Sequence, residues 1–166
     1  YRVIFNKENQ IQIGDDLEKI ALEFEKIEKG SEKKLKNFIK KAKNNYELAV
    51  TNMLYKMPGK SILELINIDT IFKVNLFFKN IKNDVEKIFK DERLRSILQF
   101  PVLFLGAKPS NTPAFYNFMN YADFGLGTWQ PKNGFYDVVR AMVEIGNNNG
   151  VKFHTNCDVQ KIKVVN

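Results

Sequence analysis

The chain has 166 residues and carries 26 Lys+Arg against 19 Asp+Glu, a net charge of +7. That length suits one domain and can bury a core, and 44% hydrophobic residues with 14 Phe exclude a disordered chain. The single cysteine, Cys157, excludes an internal disulfide framework and a Cys-rich zinc site. The longest apolar run, Phe100 to Ala107, is far short of the roughly 20 residues that a spanning helix needs. No signal-peptide pattern opens the chain. Tyr1-Arg-Val-Ile-Phe5 already reads as mid-strand, so a piece of a longer protein is expected.

A basic chain invites a nucleic-acid reading, but only four of the basic residues are arginines: Arg2, Arg93, Arg95 and Arg140. Base-edge readers and phosphate clamps favour the arginine fork, so no nucleic-acid partner is expected. Most lysines alternate with acids, as in Glu23-Phe-Glu-Lys-Ile-Glu-Lys29, the pattern of a solvated helix face. The exception is Lys33 to Lys43, where six lysines follow Glu32 without an acid between them. An anionic membrane surface needs only such a basic face and some apolar surface.

In chain order, Arg2–Phe5 and Gln10–Ile13 read as a hairpin around the turn Asn6-Lys-Glu-Asn9. Asp15 reads as an N-cap with Glu18 three residues on. Leu17, Ile20, Ala21, Phe24 and Ile27 then repeat at helical spacing. Gly30 stops that helix and Ser31 caps the next. Leu35, Phe38, Ile39, Ala42, Tyr46, Ala49, Val50, Met53, Leu54 and Met57 form one continuous apolar stripe, opposite Lys33, Lys36, Lys40, Lys41 and Lys43 and ended by Pro58-Gly59. Ile62–Ile66 is ambiguous. Helices are expected over Ile68–Ile81, Asp84–Phe89 and Asp91–Phe104, the last perturbed by Pro101. A loop, Pro109-Ser-Asn-Thr-Pro113, launches a short helix, Ala114–Met119. Leu126–Gln130 reads as a strand, Tyr136–Ile145 as a helix, and Val151–Thr155 and Val159–Val165 as strands.

No complete catalytic constellation appears. His154, the only histidine, sits in strand alternation beside polar neighbours and reads as a surface residue. One histidine without clustered cysteines or carboxylates makes no zinc site, so no metal is expected. Cys157 has no basic neighbour to activate it. There is no nucleophile elbow, P-loop or GxGxxG, and Gly125-Leu-Gly127 is followed by a predicted strand. Asp84, Glu86, Asp91 and Glu92 lie among lysines and read as solvated. What stands out is aromatic density: Phe100, Phe104, Phe115, Tyr116, Phe118, Tyr121, Phe124 and Trp129 fall within thirty residues. They are either core or the wall of an apolar ligand site.

The stretch Phe100-Pro-Val-Leu-Phe-Leu-Gly-Ala-Lys-Pro-Ser-Asn-Thr-Pro-Ala-Phe-Tyr-Asn-Phe-Met-Asn-Tyr121 resembles the middle of bacterial phytoene desaturases. These are flavin-dependent carotenoid desaturases of the amine-oxidase-like superfamily. Leu126-Gly-Thr-Trp-Gln-Pro-Lys-Asn-Gly-Phe-Tyr-Asp-Val-Val-Arg-Ala-Met-Val143 is similar to the family's glycine, aromatic, proline, Gly-Gly segment and the helix after it. Asn133 departs from the first of the two glycines and removes the bare backbone a contact there would use. Gly150-Val-Lys-Phe and Val159-Gln-Lys-Ile162 resemble a strand pair ending in Val-x-x-Ile. Tyr1–Ile13 and Ser31–Tyr46 match in layout.

The resemblance implies a full-length enzyme with FAD in a Rossmann-type domain. Residues 1–150 would form a partly membrane-facing substrate-binding domain, and residues 151–166 strands at the edge of the FAD-binding domain. The implied fold class is α+β: helices packed on a small mixed or antiparallel sheet of Arg2–Phe5, Gln10–Ile13 and Leu126–Gln130, with the strands of Val151–Val165 weakly anchored without neighbours. The implied cofactor contacts are Trp129, Pro131 and Gly134 at the flavin ring and Val159 at the adenine end, and the implied polyene wall is Phe104, Phe115, Phe118, Met119 and Tyr121. No general base is singled out. The implied partners are an apolar polyene, a membrane surface bound peripherally, and the rest of the same polypeptide's FAD domain. The implied location is cytoplasmic, on the inner membrane, with Lys33–Lys43, Ile68–Phe78 and Phe100–Leu105 as docking segments. The isolated piece is expected to be inactive and not to hold FAD tightly. The alternatives are a related flavoenzyme on another apolar substrate, such as a hydroxycarotenoid desaturase or retinoid saturase, and a non-catalytic apolar-ligand or membrane-binding module.

Overall fold

The computed structural model describes residues 1–53 and 74–164. They fall into two compact units, Tyr1–Thr128 and Trp129–Asn166.

The first unit opens with the expected hairpin. Strand β1 (Arg2–Ile4) pairs antiparallel with β2 (Gln10–Gln12), with Val3 opposite Ile11. Asn6 Oδ1 closes the turn by accepting from the Glu8 and Asn9 amides at 3.0 and 2.8 Å, the local bond that makes Asn a turn residue. Alternation buries Ile11 and Ile13 and leaves Arg2, Ile4, Gln10 and Gln12 exposed.

Helix α1 (Leu17–Ile27) buries Ile20, Ala21 and Phe24. Its cap is Asp16 rather than Asp15. The extended backbone of Asp16 lets its carboxylate accept from the Glu18 and Lys19 amides, so Glu18 sits too early to complete a capping box. Helix α2 (Ser31–Tyr46) also departs from expectation. Gly30 takes a left-handed conformation, Ser31 is the first helical residue, and its buried hydroxyl has no hydrogen-bond partner among the described residues. The capping is done from α1: Glu25 accepts from the Gly30 amide at 2.7 Å and the Glu32 amide at 3.0 Å. A carboxylate there also favours the positive end of the helix dipole. The cap comes from the neighbouring helix because glycine has no side chain to offer.

Leu35, Phe38, Ile39, Ala42 and Asn45 form the buried stripe of α2. The stripe does not run on as one α-helix. Glu47–Met53 is a π-helix, whose wider turn inserts a residue and shifts the buried position to Leu48. The expectations for Leu54, Met57, Pro58-Gly59, Ile62–Ile66 and Ile68–Lys73 lie outside the described residues.

Helices α3 (Val74–Phe78), α4 (Ile81–Ile88) and α5 (Glu92–Gln99) follow. Asn80 caps α4 and Asp91 caps α5 through their side chains. Pro101 converts the end of the predicted Asp91–Phe104 helix into a 3₁₀ segment, Phe100–Leu105. A second 3₁₀ turn, Ala114–Asn117, leads into α6 (Phe118–Phe124). The core gathers on Phe24, Phe38, Phe89, Leu94, Leu98 and Phe124, all buried.

The α+β class holds in coarse form, but among the described residues the sheet has two strands. Leu126–Gln130 is not a strand. The Leu126 amide bonds back to the Tyr121 carbonyl at 3.1 Å, and Gly127 at φ +83° breaks the extended run. In the second unit α7 (Tyr136–Asn148) forms as expected. Residues 151–164 form no strand. Strand alternation is only a preference until a neighbour supplies hydrogen-bond partners, and Asn156 at φ +56° bends the run midway. The Val151 amide bonds to the Gly146 carbonyl at 2.9 Å. Gly146 leaves room for the Phe153 ring, which would stand 2.7 Å from a Cβ there.

Candidate functional site

In the first unit the aromatic segment separates into two groups. Phe115 lies at the centre of the inner one. Its ring stacks on Phe77 at 4.8 Å and meets Phe118 edge-on at 5.8 Å. Tyr116 joins Phe118 at 5.5 Å. Offset and edge contacts of this kind add to the area they bury. Tyr121, one turn after Phe118, faces another partner: Tyr46 meets it at 5.4 Å, and the Lys43 ammonium stands 6.0 Å from its ring centre. Phe118, Met119 and Tyr121 are half-buried and Phe115 is buried. Four of the five predicted wall residues therefore lie on Ala114–Phe124.

Phe104 belongs to the other group. It is 74% exposed and its ring meets Phe100 at 5.5 Å. Leu103 and Leu105 are exposed beside it. A cleft of about 350 Å³, lined by Tyr1–Ile4 with Ser96, Ile97 and Phe100, opens between β1 and α5. Asp123 ties this end of α6 down, accepting from the Tyr1 hydroxyl at 2.6 Å and the Thr128 hydroxyl at 2.7 Å.

Gly125, which carried no weight in the sequence, is required for the position of Tyr121. A Cβ there would stand 2.4 Å from the Tyr121 ring and 2.9 Å from the Tyr121 carbonyl oxygen. Gly125→Ala is expected to cost about 1–3 kcal/mol through this overlap. Urea unfolding checks it, and an unchanged midpoint would mean that the ring moves aside freely. Tyr46 was legible only as part of an apolar stripe and Phe77 only as part of an apolar docking segment, because nothing local to them names their partners.

The second unit carries the four residues expected at a flavin. Trp129 is 80% exposed and Val159 75% exposed. Pro131 begins a turn that closes with the Gly134 amide donating to its carbonyl at 3.0 Å. Gly134 has φ +91° and open space within 4 Å of where a Cβ would stand. Asn133 faces the helix, its amide donating to Asp137 at 2.7 Å. The Arg140 guanidinium, which also pairs with it, and Asn133 together hold the Asp137 carboxyl below the usual carboxylate range. Among the described residues no three His, Cys, Asp or Glu side chains are grouped to hold a metal ion. Likewise, no described helix is long and apolar enough to cross a membrane.

Residues 14–165 match the family model described as flavin containing amine oxidoreductase. The chain belongs to that family. It is 31% identical to a carotenoid 3,4-desaturase of Haloarcula japonica, over 98% of this chain and 33% of that protein. A zeta-carotene-forming phytoene desaturase of Myxococcus xanthus is 27% identical over 98% of this chain and 32% of its own length. A phytoene desaturase of Phycomyces blakesleeanus is 30% identical over 98% of this chain and 28% of its own. The chain thus spans about a third of the length of the curated relatives it matches.

The family implies a flavin, and the second unit fits one face of such a group. An exposed indole precedes a turn whose glycine leaves its backbone bare and open, and a flat ring can approach such a surface closely. The chain has no glycine-rich phosphate loop of the Rossmann type.

Proposed function

We propose that this chain is the central, substrate-binding part of an FAD-dependent desaturase that introduces double bonds into a C40 polyene. The observation that carries this reading is the similarity of 98% of the chain to carotenoid and phytoene desaturases. In this reading residues 1–150 belong to the substrate domain and 151–166 to the edge of the FAD domain. Trp129, Pro131 and Gly134 face the flavin ring and Val159 the adenine end, and Phe104, Phe115, Phe118, Met119 and Tyr121 line the polyene path.

Each double bond requires a hydride and a proton to leave adjacent carbons. FAD, when bound, supplies the two-electron acceptor. The chain's own residues must select the bond and exclude water. A hydrocarbon offers no hydrogen-bond handle, so shape and apolar contact do the positioning. The Phe115–Phe118–Tyr116 cluster provides stiff, flat surfaces for that purpose.

Moving a C40 chain through water costs about 0.8 kcal/mol per CH₂, on the order of tens of kcal/mol in all. Delivery from lipid, at the cytoplasmic face of the inner membrane, avoids that cost. On α2 the acids neutralise part of the lysine face: Lys34 pairs with Glu28, Lys36 with Glu18 and Glu32, and Lys43 with Glu47. Lys33, Lys40 and Lys41 are exposed and have no ion pair among the described residues, which leaves three charges for anionic headgroups. At about 1 kcal/mol each, reversing all three to Glu in the full-length protein should weaken binding to phosphatidylglycerol vesicles by at least 100-fold. Binding to neutral vesicles should not change. Equal binding of parent and variant would remove α2 from the docking face.

The test of function is to express the full-length gene in cells that accumulate colourless phytoene and to record the pigment spectrum. New visible bands are expected. No bands from a protein that is yellow with flavin would move the substrate to another apolar molecule. No bands and no flavin would reject the reading.

A further inference from the structure

Three buried asparagines stand on α2, on the 3₁₀ turn before α6 and on α6 itself: Asn45, Asn117 and Asn120. The Asn45 amide donates to the Asn117 side-chain oxygen at 2.8 Å, across 72 residues of sequence, and both are buried. Asn120, one turn beyond Asn117, is fully buried and neither of its amide atoms has a hydrogen-bond partner among the described residues. A leucine has the same branching and no desolvation cost, so burial alone does not account for a paired amide here.

We propose that Asn45 and Asn117 are positioning residues that hold α6 in a single register on α2. An all-apolar interface packs comparably in neighbouring registers, whereas one buried polar pair is satisfied in only one of them. Any slide or rotation of α6 would leave both amides unpaired in the core. The register decides where α6 holds Phe118, Met119 and Tyr121. Tyr46, the neighbour of Asn45, meets Tyr121 edge-on, so a register error appears there first. The consequence for substrate rests on the desaturase reading above.

The experiment uses the full-length protein with its cysteines replaced by serine and Cys introduced at positions 46 and 121. The crosslinking yield with a short bifunctional thiol reagent reads the register. Asn45→Leu/Asn117→Leu removes both amides together and should melt within a few degrees of the parent, since neither is left unpaired. Its crosslinking yield should fall at least fivefold. Without the introduced cysteines, the same double variant should shift the ratio of polyene products of different conjugation length. Asn120→Leu is the control: it removes an amide with no partner among the described residues, so it should raise the melting temperature and leave the crosslink intact. An unchanged crosslink in the double variant overturns the proposal. So does the same loss in the control, or an unchanged product ratio beside a pigmented parent. A parent that makes no pigment rejects the desaturase reading alone, and the crosslink still decides the register.

Discussion

Phe24→Ala is expected to destabilise the first unit by about 3–5 kcal/mol, the range for emptying a fully buried aromatic site. Phe24 has no exposed surface. Its ring meets Phe89 edge-on at 6.2 Å and Phe124 at 6.5 Å, and Phe89 in turn meets Phe38 at 6.3 Å. The substitution therefore removes the ring through which α1 meets the end of α4 and α6. Collapse fills such a space poorly, because the backbones of separate elements would have to move. Urea unfolding of the parent and variant measures the loss. A loss below about 1 kcal/mol would mean that Phe24 is not the centre of this core. Because Phe124 ends α6, the same variant should also loosen the helix that carries Phe118 and Tyr121.

Glu28→Ala is expected to cost about 2–3 kcal/mol. Glu28 closes α1 and its carboxylate is largely buried. It accepts from the Lys34 ammonium at 2.5 Å and from the Lys90 and Asp91 amides at 2.7 and 2.9 Å. One side chain thus ties α1 to α2 and to the start of α5. Burial on its own would raise the carboxyl's affinity for a proton, but the Lys34 bond and the two backbone amides outweigh it and hold the group below its ordinary range. The folded state therefore binds this proton less readily than the unfolded chain. Its stabilisation is complete above the unfolded pKa, about 4.3, and is lost as pH falls through the lower folded value. The parent should lose stability in that window more steeply than the alanine variant. Parallel pH profiles for the two would contradict the assignment.

Much of the fold was legible because it depends on local spacing. The hairpin turn at Asn6–Asn9, the 3.6-residue repeat of α1 and α2, the break at Pro101 and the helix after Gly134 each follow from residues within one or two turns of one another. The errors share one cause. Ser31 looked like a cap because its type suits one, yet Glu25 reaches over from the previous helix. Leu126–Gln130 and 151–164 looked like strands because their side chains alternate, yet no neighbouring strand pairs with them among the described residues. The candidate site divides in the same way. Its aromatic density was visible in one dimension, whereas Phe77 beside Phe115, Tyr46 beside Tyr121, and the separation of Phe104 from both are products of packing.

The sequence by itself determined the class of chain, its positive charge, the positions of its helices and its family resemblance. Those properties depend on residue type and short-range order. Only the tertiary structure decided that Glu28 is a half-buried tie between elements rather than a solvated acid. The same holds for the lysines of α2 left without ion pairs among the described residues, for the requirement at Gly125, and for the pairing of Asn45 with Asn117. Each depends on which atoms meet across distant parts of the chain, and no local pattern encodes that.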